Sequence, residues 1–136
     1  MDINILKIAS DTKNNKHINN YTHSTKHKSQ ICGDEIEIFL IIKDNVIKDF
    51  SYQSQSCIYC NASANLATKN FKKKSKEKIK NFLKLLDQFN DKKNISFPSE
   101  WKEFKKIFDK KNYSRKECLT LPIKALKKGN TINEQR

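Results

Sequence analysis

Glycine is nearly missing from this chain: Gly33 and Gly129 are the only two in 136 residues. So little glycine cannot build the turns that let a backbone wrap a phosphate, which excludes nucleotide binding of the P-loop or dinucleotide kind. Long apolar runs are missing as well. No stretch approaches the roughly 18 apolar residues that a bilayer crossing needs, and the opening Met1-Asp2-Ile3-Asn4 lacks the basic, apolar and small-residue zones of a secretion signal. A cytoplasmic setting is expected. In that reducing compartment Cys32, Cys57, Cys60 and Cys118 read as thiols for metal or sulfur chemistry rather than as disulfides. Arginine is scarce too, since Arg115 and Arg136 are the only two among 28 basic residues. The net charge of +13 is therefore lysine scattered over every segment, alongside abundant Asn and Ile, as codon drift toward A and T produces. Scattered lysine attracts anions diffusely and offers no bidentate reading of bases or phosphates, so nucleic acid is disfavoured as a partner.

What is present suits one folded unit with an economical core. The chain is 36% apolar and 32% charged, below the usual apolar share of about 45–50%, but eight Phe and one Trp supply bulk. One domain is expected over 1–129, with 130–136 as a flexible tail and no internal repeat. Residues 4–9 suit a short amphipathic helix. Residues 10–29 are polar, carry His17, His23 and His27, and read as a surface loop with solvated histidines, because no apolar frame holds them in a ligand geometry. Residues 35–43 alternate, with Ile36, Ile38, Leu40 and Ile42 on one face of a strand. Asp44-Asn45 is a two-residue turn of the kind that tolerates positive φ, and 46–53 returns as the second strand of an antiparallel hairpin.

Helices follow. The small residues of 61–68 suit a helix packed closely on the sheet. Ser75 can cap a second helix carrying Ile79, Phe82, Leu83, Leu86 and Phe89 at 3.6-residue spacing. A polar break at 91–96 leads to Pro98, in a helical first turn, and to a third apolar stripe of Trp101, Phe104, Ile107 and Phe108. A last helix starts beside Cys118, with Pro122 in its first turn, Leu119, Ile123 and Leu126 inward, and Gly129 as its stop.

Three cysteines lie at edges of these elements. The outer ends of an antiparallel hairpin are neighbours, so Cys32-Gly33-Asp34 and Ser56-Cys57 can meet at one end of the sheet. Cys57 and Cys118 stand at helix N-termini, where the positive dipole end is expected to lower a thiol's pKa. With Asp34, three thiolates and a carboxylate form a tetrahedral set for zinc or an electron-rich anchor for iron. Cys60 completes Cys57-Ile58-Tyr59-Cys60. It is expected to be an inert thiol facing the core, the alternatives being a substitute ligand, a sulfur acceptor or one half of a redox pair.

Ile31-Cys32-Gly33-Asp34, Val46-Ile47-Lys48-Asp49, Ala62-Ser63-Ala64, Arg115-Lys116-Glu117-Cys118-Leu119 and Ala125-Leu126 together resemble the U-type iron–sulfur cluster assembly proteins: IscU, SufU and the NifU N-terminal domain. The resemblance runs from about Ile5 to Gly129. Cys57 and Cys118 are 61 positions apart, with an insertion holding Trp101, and this long spacing is similar to the SufU branch. So is Arg115, where IscU-like sequences instead place a histidine directly before the third cysteine. The resemblance implies an α+β fold, a small antiparallel sheet of about three strands with helices on one side. It also implies a surface site of Cys32, Asp34, Cys57 and Cys118 that binds zinc. The implied partner is a pyridoxal-phosphate cysteine desulfurase whose histidine displaces one thiolate from zinc, freeing Cys32 to accept persulfide sulfur while Arg115 steadies the anionic site. In the IscU-like alternative the same ligands assemble an iron–sulfur cluster for downstream apo-proteins. Three positions depart from the family pattern: Ser56 stands where glycine is usual, the proline before the first cysteine is missing, and Glu117 adjoins Cys118, as a further ligand or as a repulsive charge. A reading of a different class is a basic module with a purely structural zinc that grips RNA or protein.

Overall fold

A computed structural model of the chain describes residues 3–91 and 95–128. Gly129, the tail 130–136 and positions 92–94 of the polar break lie outside the described residues. The elements are α1 (Ile3–Ala9), β1 (His23–Lys28), β2 (Glu35–Lys43), β3 (Val46–Gln55), α2 (Ile58–Phe71), α3 (Lys76–Asp91) and α4 (Lys116–Lys128), with 3₁₀ turns at Ser99–Lys106 and Lys110–Arg115 between α3 and α4.

The hairpin forms as its sequence dictates. Asp44 and Asn45 both adopt positive φ, 55° and 62°, the two-residue turn whose twist matches that of the strands it joins. Pairing runs from Lys43 opposite Val46 to Glu35 opposite Gln55, with one irregularity between Ile41 and Ile42, so β3 extends two residues beyond the expected stretch. Ile36, Ile38 and Leu40 are fully buried on one face.

A third strand occupies part of the expected loop 10–29. β1, His23-Ser24-Thr25-Lys26-His27-Lys28, lies antiparallel to β2 and completes the order β1-β2-β3. It has no apolar alternation, and its residues alternate only between half-buried and exposed. The open edge of β2 recruits it by backbone hydrogen bonds, a cause that leaves no hydrophobic pattern to read. His23 and His27 are thus strand residues. His17 is exposed, yet its ring meets Phe39 at 4.6 Å between centroids. The segment before β1 follows the free edge of β3, where Tyr52 N–H donates to the Asn14 carbonyl, and brings His17 and Tyr21 onto Phe39.

The opposite face carries the helices. α2 packs on β3 and between α1 and α4, while α4 also reaches β1 and β2. This crowding explains the small residues of α2: Ala62, Ser63, Ala64 and Ala67 are all buried, and bulkier side chains would hold its neighbours off. Ser63 Oγ donates to the Leu119 carbonyl at 2.6 Å, tying α2 to α4. Ser75 caps α3 by accepting from Lys78 N–H, and Ile79, Phe82, Leu83, Leu86 and Phe89 are buried as their spacing predicts.

Two helix expectations need correction. In the stripe of Trp101, Phe104, Ile107 and Phe108, the first two lie on a 3₁₀ turn rather than an α-helix, Ile107 is its C-cap and Phe108 follows it, and the three-residue step from Trp101 to Ile107 is the 3₁₀ period, not 3.6. The rings extend the same core, Phe82 lying 4.4 Å from Phe104 and stacked 5.1 Å from Trp101. The last helix begins at Lys116, because the 3₁₀ turn Lys110–Arg115 feeds directly into it, and this puts Pro122 inside α4. Having no N–H, Pro122 cannot complete the ladder bond to the carbonyl four residues back, which is that of Cys118.

Candidate metal centre

The register of β2 and β3 builds one half of the site. Because Glu35 pairs with Gln55, the residues just outside the pair, Asp34 and Ser56, emerge side by side. Asp34 Oδ2 accepts the backbone N–H of Cys57 at 3.2 Å. Cys57 is the N-cap of α2 and has no side-chain cap bond of its own. The carboxylate thus satisfies a donor at a helix N-terminus, where negative charge is favoured, and a second oxygen is left for another partner.

The loop joining β1 to β2 supplies Cys32 and Asp34. Ser29 shapes it: its hydroxyl accepts from the N–H groups of Ile31 and Cys32, and its carbonyl accepts from Gly33 N–H. Gly33 has φ +77° with nothing within 4 Å of an added Cβ, so glycine is required by backbone conformation and not by space. Ser29 was not singled out in the sequence, although a serine three residues before Cys32 is a recognisable local hydroxyl-to-backbone signal.

Cys118 comes from the other side, as the third residue of α4. The ligand atoms of Cys32, Asp34 and Cys118 all lie within 4.8 Å of one another. Two thiolates about 2.3 Å from a common zinc stand about 3.8 Å apart in a tetrahedron, so the trio needs to draw in by no more than roughly an ångström to close on an ion. The thiols of Cys57 and Cys32 both lie near enough to that of Cys118 to raise its pKa. Cys57 therefore joins the cluster by its backbone, through Asp34, with its thiol beside the trio rather than in it.

Cys118 does not behave as an activated helix-terminal thiol. Burial first, then the neighbouring thiols of Cys57 and Cys32, push its pKa far above the ordinary range. The 3₁₀ turn running into α4 removes the open helix end that would have favoured a thiolate. Three thiols packed this closely, one of them 5% exposed, cannot all ionise without a cation. That demand, together with the donor chemistry, makes the set fit a thiophilic divalent ion.

The remaining candidates stand around this cluster. Cys60 is fully buried, and burial raises its thiol to about 12, with Asp34, Cys57 and Cys32 adding to the rise and a hydrogen bond from Ser56 opposing it. Arg115 is exposed, with its guanidinium over the Tyr59 ring at 5.1 Å, which places it beside α2's first turn. Glu117 is bound to Lys124 at 2.8 Å and is not in the metal-competent group among the described residues. The causes acting on Cys118 are burial and thiols, not the Glu117 carboxylate. The three histidines are likewise outside that group.

A family model for the NifU-like N-terminal domain matches residues 3–95. The chain belongs to that family. In class it is an iron–sulfur cluster assembly protein of the NifU, IscU and SufU type. Over 126 residues it is 28% identical to the iron–sulfur cluster assembly scaffold protein IscU of Thermotoga maritima, covering 92% of this chain and 88% of that protein. Two crystal structures share the fold. One is a nitrogen-fixing NifU-like protein (N-terminal) from Brucella abortus, with TM-score 0.83, 15% identity, and coverage of 97% of this chain and 93% of that one. The other is described as an iron–sulfur cluster assembly scaffold protein for the SUF system from Fervidobacterium islandicum, with TM-score 0.81, 22% identity and 92% of both chains. The expected α+β architecture of this family, three antiparallel strands with helices on one side, is the one observed. Among the described residues no helix is long and apolar enough to cross a membrane.

Proposed function

We propose that this family member works in the cytoplasm as a zinc-binding sulfur acceptor, taking persulfide sulfur from a pyridoxal-phosphate cysteine desulfurase for delivery to cluster-assembly or apo-proteins. The observation that carries the reading is the convergence of Cys32, Asp34 and Cys118 with the Cys57 N–H bonded to Asp34. Cys32, Asp34, Cys57 and Cys118 would hold zinc, which would keep their thiols deprotonated at neutral pH. Cys32 is the exposed thiol of the four cysteines, at the tip of a loop, and is the natural acceptor. Its sulfur attacks the outer sulfur of the enzyme's persulfide, the S–S bond breaks, and the enzyme keeps its thiolate while the chain leaves with a persulfide on Cys32. Asp34, held by Cys57 N–H, keeps the rest of the set in place. Arg115, on Tyr59 at the rim, would steady the incoming anion. The long Cys57-to-Cys118 spacing and Arg115 support the SufU-like branch.

Titrating the chain into a cysteine desulfurase with cysteine, and following alanine release and the modified peptide, tests this. Trypsin separates Cys32 on 29–43 from Cys57 and Cys60 on 49–69 and from Cys118 on 117–124. Stimulated alanine release with a persulfide on 29–43, abolished by Cys32→Ser, is expected, and zinc should be near-stoichiometric and lost in Cys57→Ser. No stimulation and no carrier persulfide would overturn the reading. The name of the Thermotoga maritima relative favours a second reading, in which the same ligands assemble a cluster from iron and sulfide. Anaerobic reconstitution giving a thiolate-bound cluster that an apo-protein receives would support that one instead.

A further inference from the structure

Cys60 is the one cysteine outside the thiol and carboxylate set, and Ser56 stands beside it. The Ser56 hydroxyl, bonded at 3.0 Å to both Ser54 Oγ and Asn61 Oδ1, stands near enough to the Cys60 thiol to lower its pKa against the effect of burial. Cys57 and Cys60 are the N-cap and the third residue of α2. Side chains three apart on a helix are neighbours, and an N-cap side chain folds back toward the third helical residue. One of the pair is half-exposed and the other buried, the asymmetry of a dithiol in which an accessible thiol meets the oxidant and a sheltered one resolves it. Cys57 is also the outlying member of the site: Cys32, Asp34 and Cys118 make a mutually close trio without it.

We propose that Cys57 and Cys60 form a reversible thiol–disulfide pair through which Cys57 withdraws from the metal centre, leaving Cys32, Asp34 and Cys118 as an open three-ligand site. The oxidant is a small-molecule disulfide. Cys57 sulfur attacks it, one thiolate leaves, and a mixed disulfide forms on Cys57. Cys60 then attacks the Cys57 sulfur, expelling the second thiolate. Two electrons pass from the cysteine pair to the reagent's S–S bond, and both thiol protons end on the two released thiols. The Ser56 hydroxyl favours the step by stabilising negative charge on Cys60 as it attacks. While an ion occupies the other three ligands, Cys60 is the thiol left over to resolve Cys57. The effect on the metal rests on the function proposed above, whereas disulfide formation itself does not.

The test treats the full chain, zinc-loaded and metal-free, with oxidised glutathione, followed by thiol blocking and peptide mass spectrometry. The expected product in both arms is peptide 49–69 lacking two hydrogens and restored by dithiothreitol. In the loaded arm zinc is released in step with it. Cys60→Ala should instead accumulate the glutathione adduct on Cys57. Ser56→Gly, which keeps Cys60, should close the disulfide several-fold more slowly and so covers the case where Cys60→Ala does not fold. Cys57 joined to the 117–124 or 29–43 peptide, or an adduct as persistent in the native chain as in Cys60→Ala, would overturn the pairing. If the disulfide forms while zinc stays bound, withdrawal from the metal is overturned. A chain that never binds zinc, yet forms the disulfide, refutes the zinc reading alone.

Discussion

Substitution can separate the contact Asp34 makes with the Cys57 backbone from the ligand role proposed for it. Its carboxylate accepts the Cys57 N–H at 3.2 Å and also lies within 4.8 Å of the Cys32 and Cys118 thiols. Asp34→Ala removes both. A hydrogen bond to a charged group contributes about 1.5–3 kcal/mol, and loss of an N-terminal helix acceptor costs about 0.5–2 kcal/mol. For this half-buried contact we take about 1–2 kcal/mol. At about 4 °C per kcal/mol for a domain of this size, the metal-free protein should lose roughly 4–8 °C in Tm. Asp34→Asn keeps an amide oxygen able to accept the same N–H without its charge, and should lose about half as much. For zinc the two should converge, since each deletes the anionic ligand, and affinity should fall at least about tenfold, or about 1.4 kcal/mol. The assay is thermal unfolding in excess chelator, paired with zinc competition against a chromophoric chelator. Equal destabilisation of both variants in the metal-free state, or an unchanged Tm in Asp34→Ala, would refute the capping role. Native zinc affinity in Asp34→Asn would refute the ligand role.

Two further predictions follow from backbone and burial. Gly33→Ala forces an L side chain into φ +77° with open space around it, a cost of about 1–2 kcal/mol borne by the loop carrying Cys32 and Asp34. Zinc affinity should fall about five- to thirtyfold, with Gly33→Asn intermediate because asparagine tolerates that region, and equal affinity for all three would refute it. Tyr52 donates to Asn65 Oδ1, and burial, ahead of the charges of Cys60 and Asp11, raises its phenol from 10.0 to about 12. The folded state therefore holds the proton more tightly than the unfolded state, so this stability is intact below pH 10 and is lost as pH climbs from 10 to 12. Urea midpoints should fall across that window in the native chain. In Tyr52→Phe they should start about 0.5–1.5 kcal/mol lower but fall less, and parallel slopes would contradict the assignment.

The parts legible in the sequence were those written in local chemistry. The β2–β3 hairpin announces itself through alternation and Asp44-Asn45, α3 through its Ser75 cap and apolar spacing, and the Cys32 loop through Cys-Gly-Asp. β1 was not legible, because a polar edge strand is held by another strand's free backbone groups rather than by its own side chains. The 3₁₀ turns around Trp101 could have been read from their three-residue step, which an expectation of α-helix obscured. Pro122 was misplaced by one turn because the start of α4 depends on the preceding 3₁₀ turn.

The sequence by itself determined the candidate ligand types, the short-range placement of Cys32 beside Asp34, and the meeting of that loop with Cys57 at one end of the hairpin. Those follow from chain connectivity and strand pairing, which act over short separations. Only the tertiary structure decided that Cys118 closes the set from α4, that it is a buried thiol needing a cation to ionise rather than a dipole-activated one, and that Glu117 is committed to Lys124. It also seated Arg115 on Tyr59. Each of these depends on how helices pack on the sheet, and packing sets distances and desolvation that spacing along the chain does not encode.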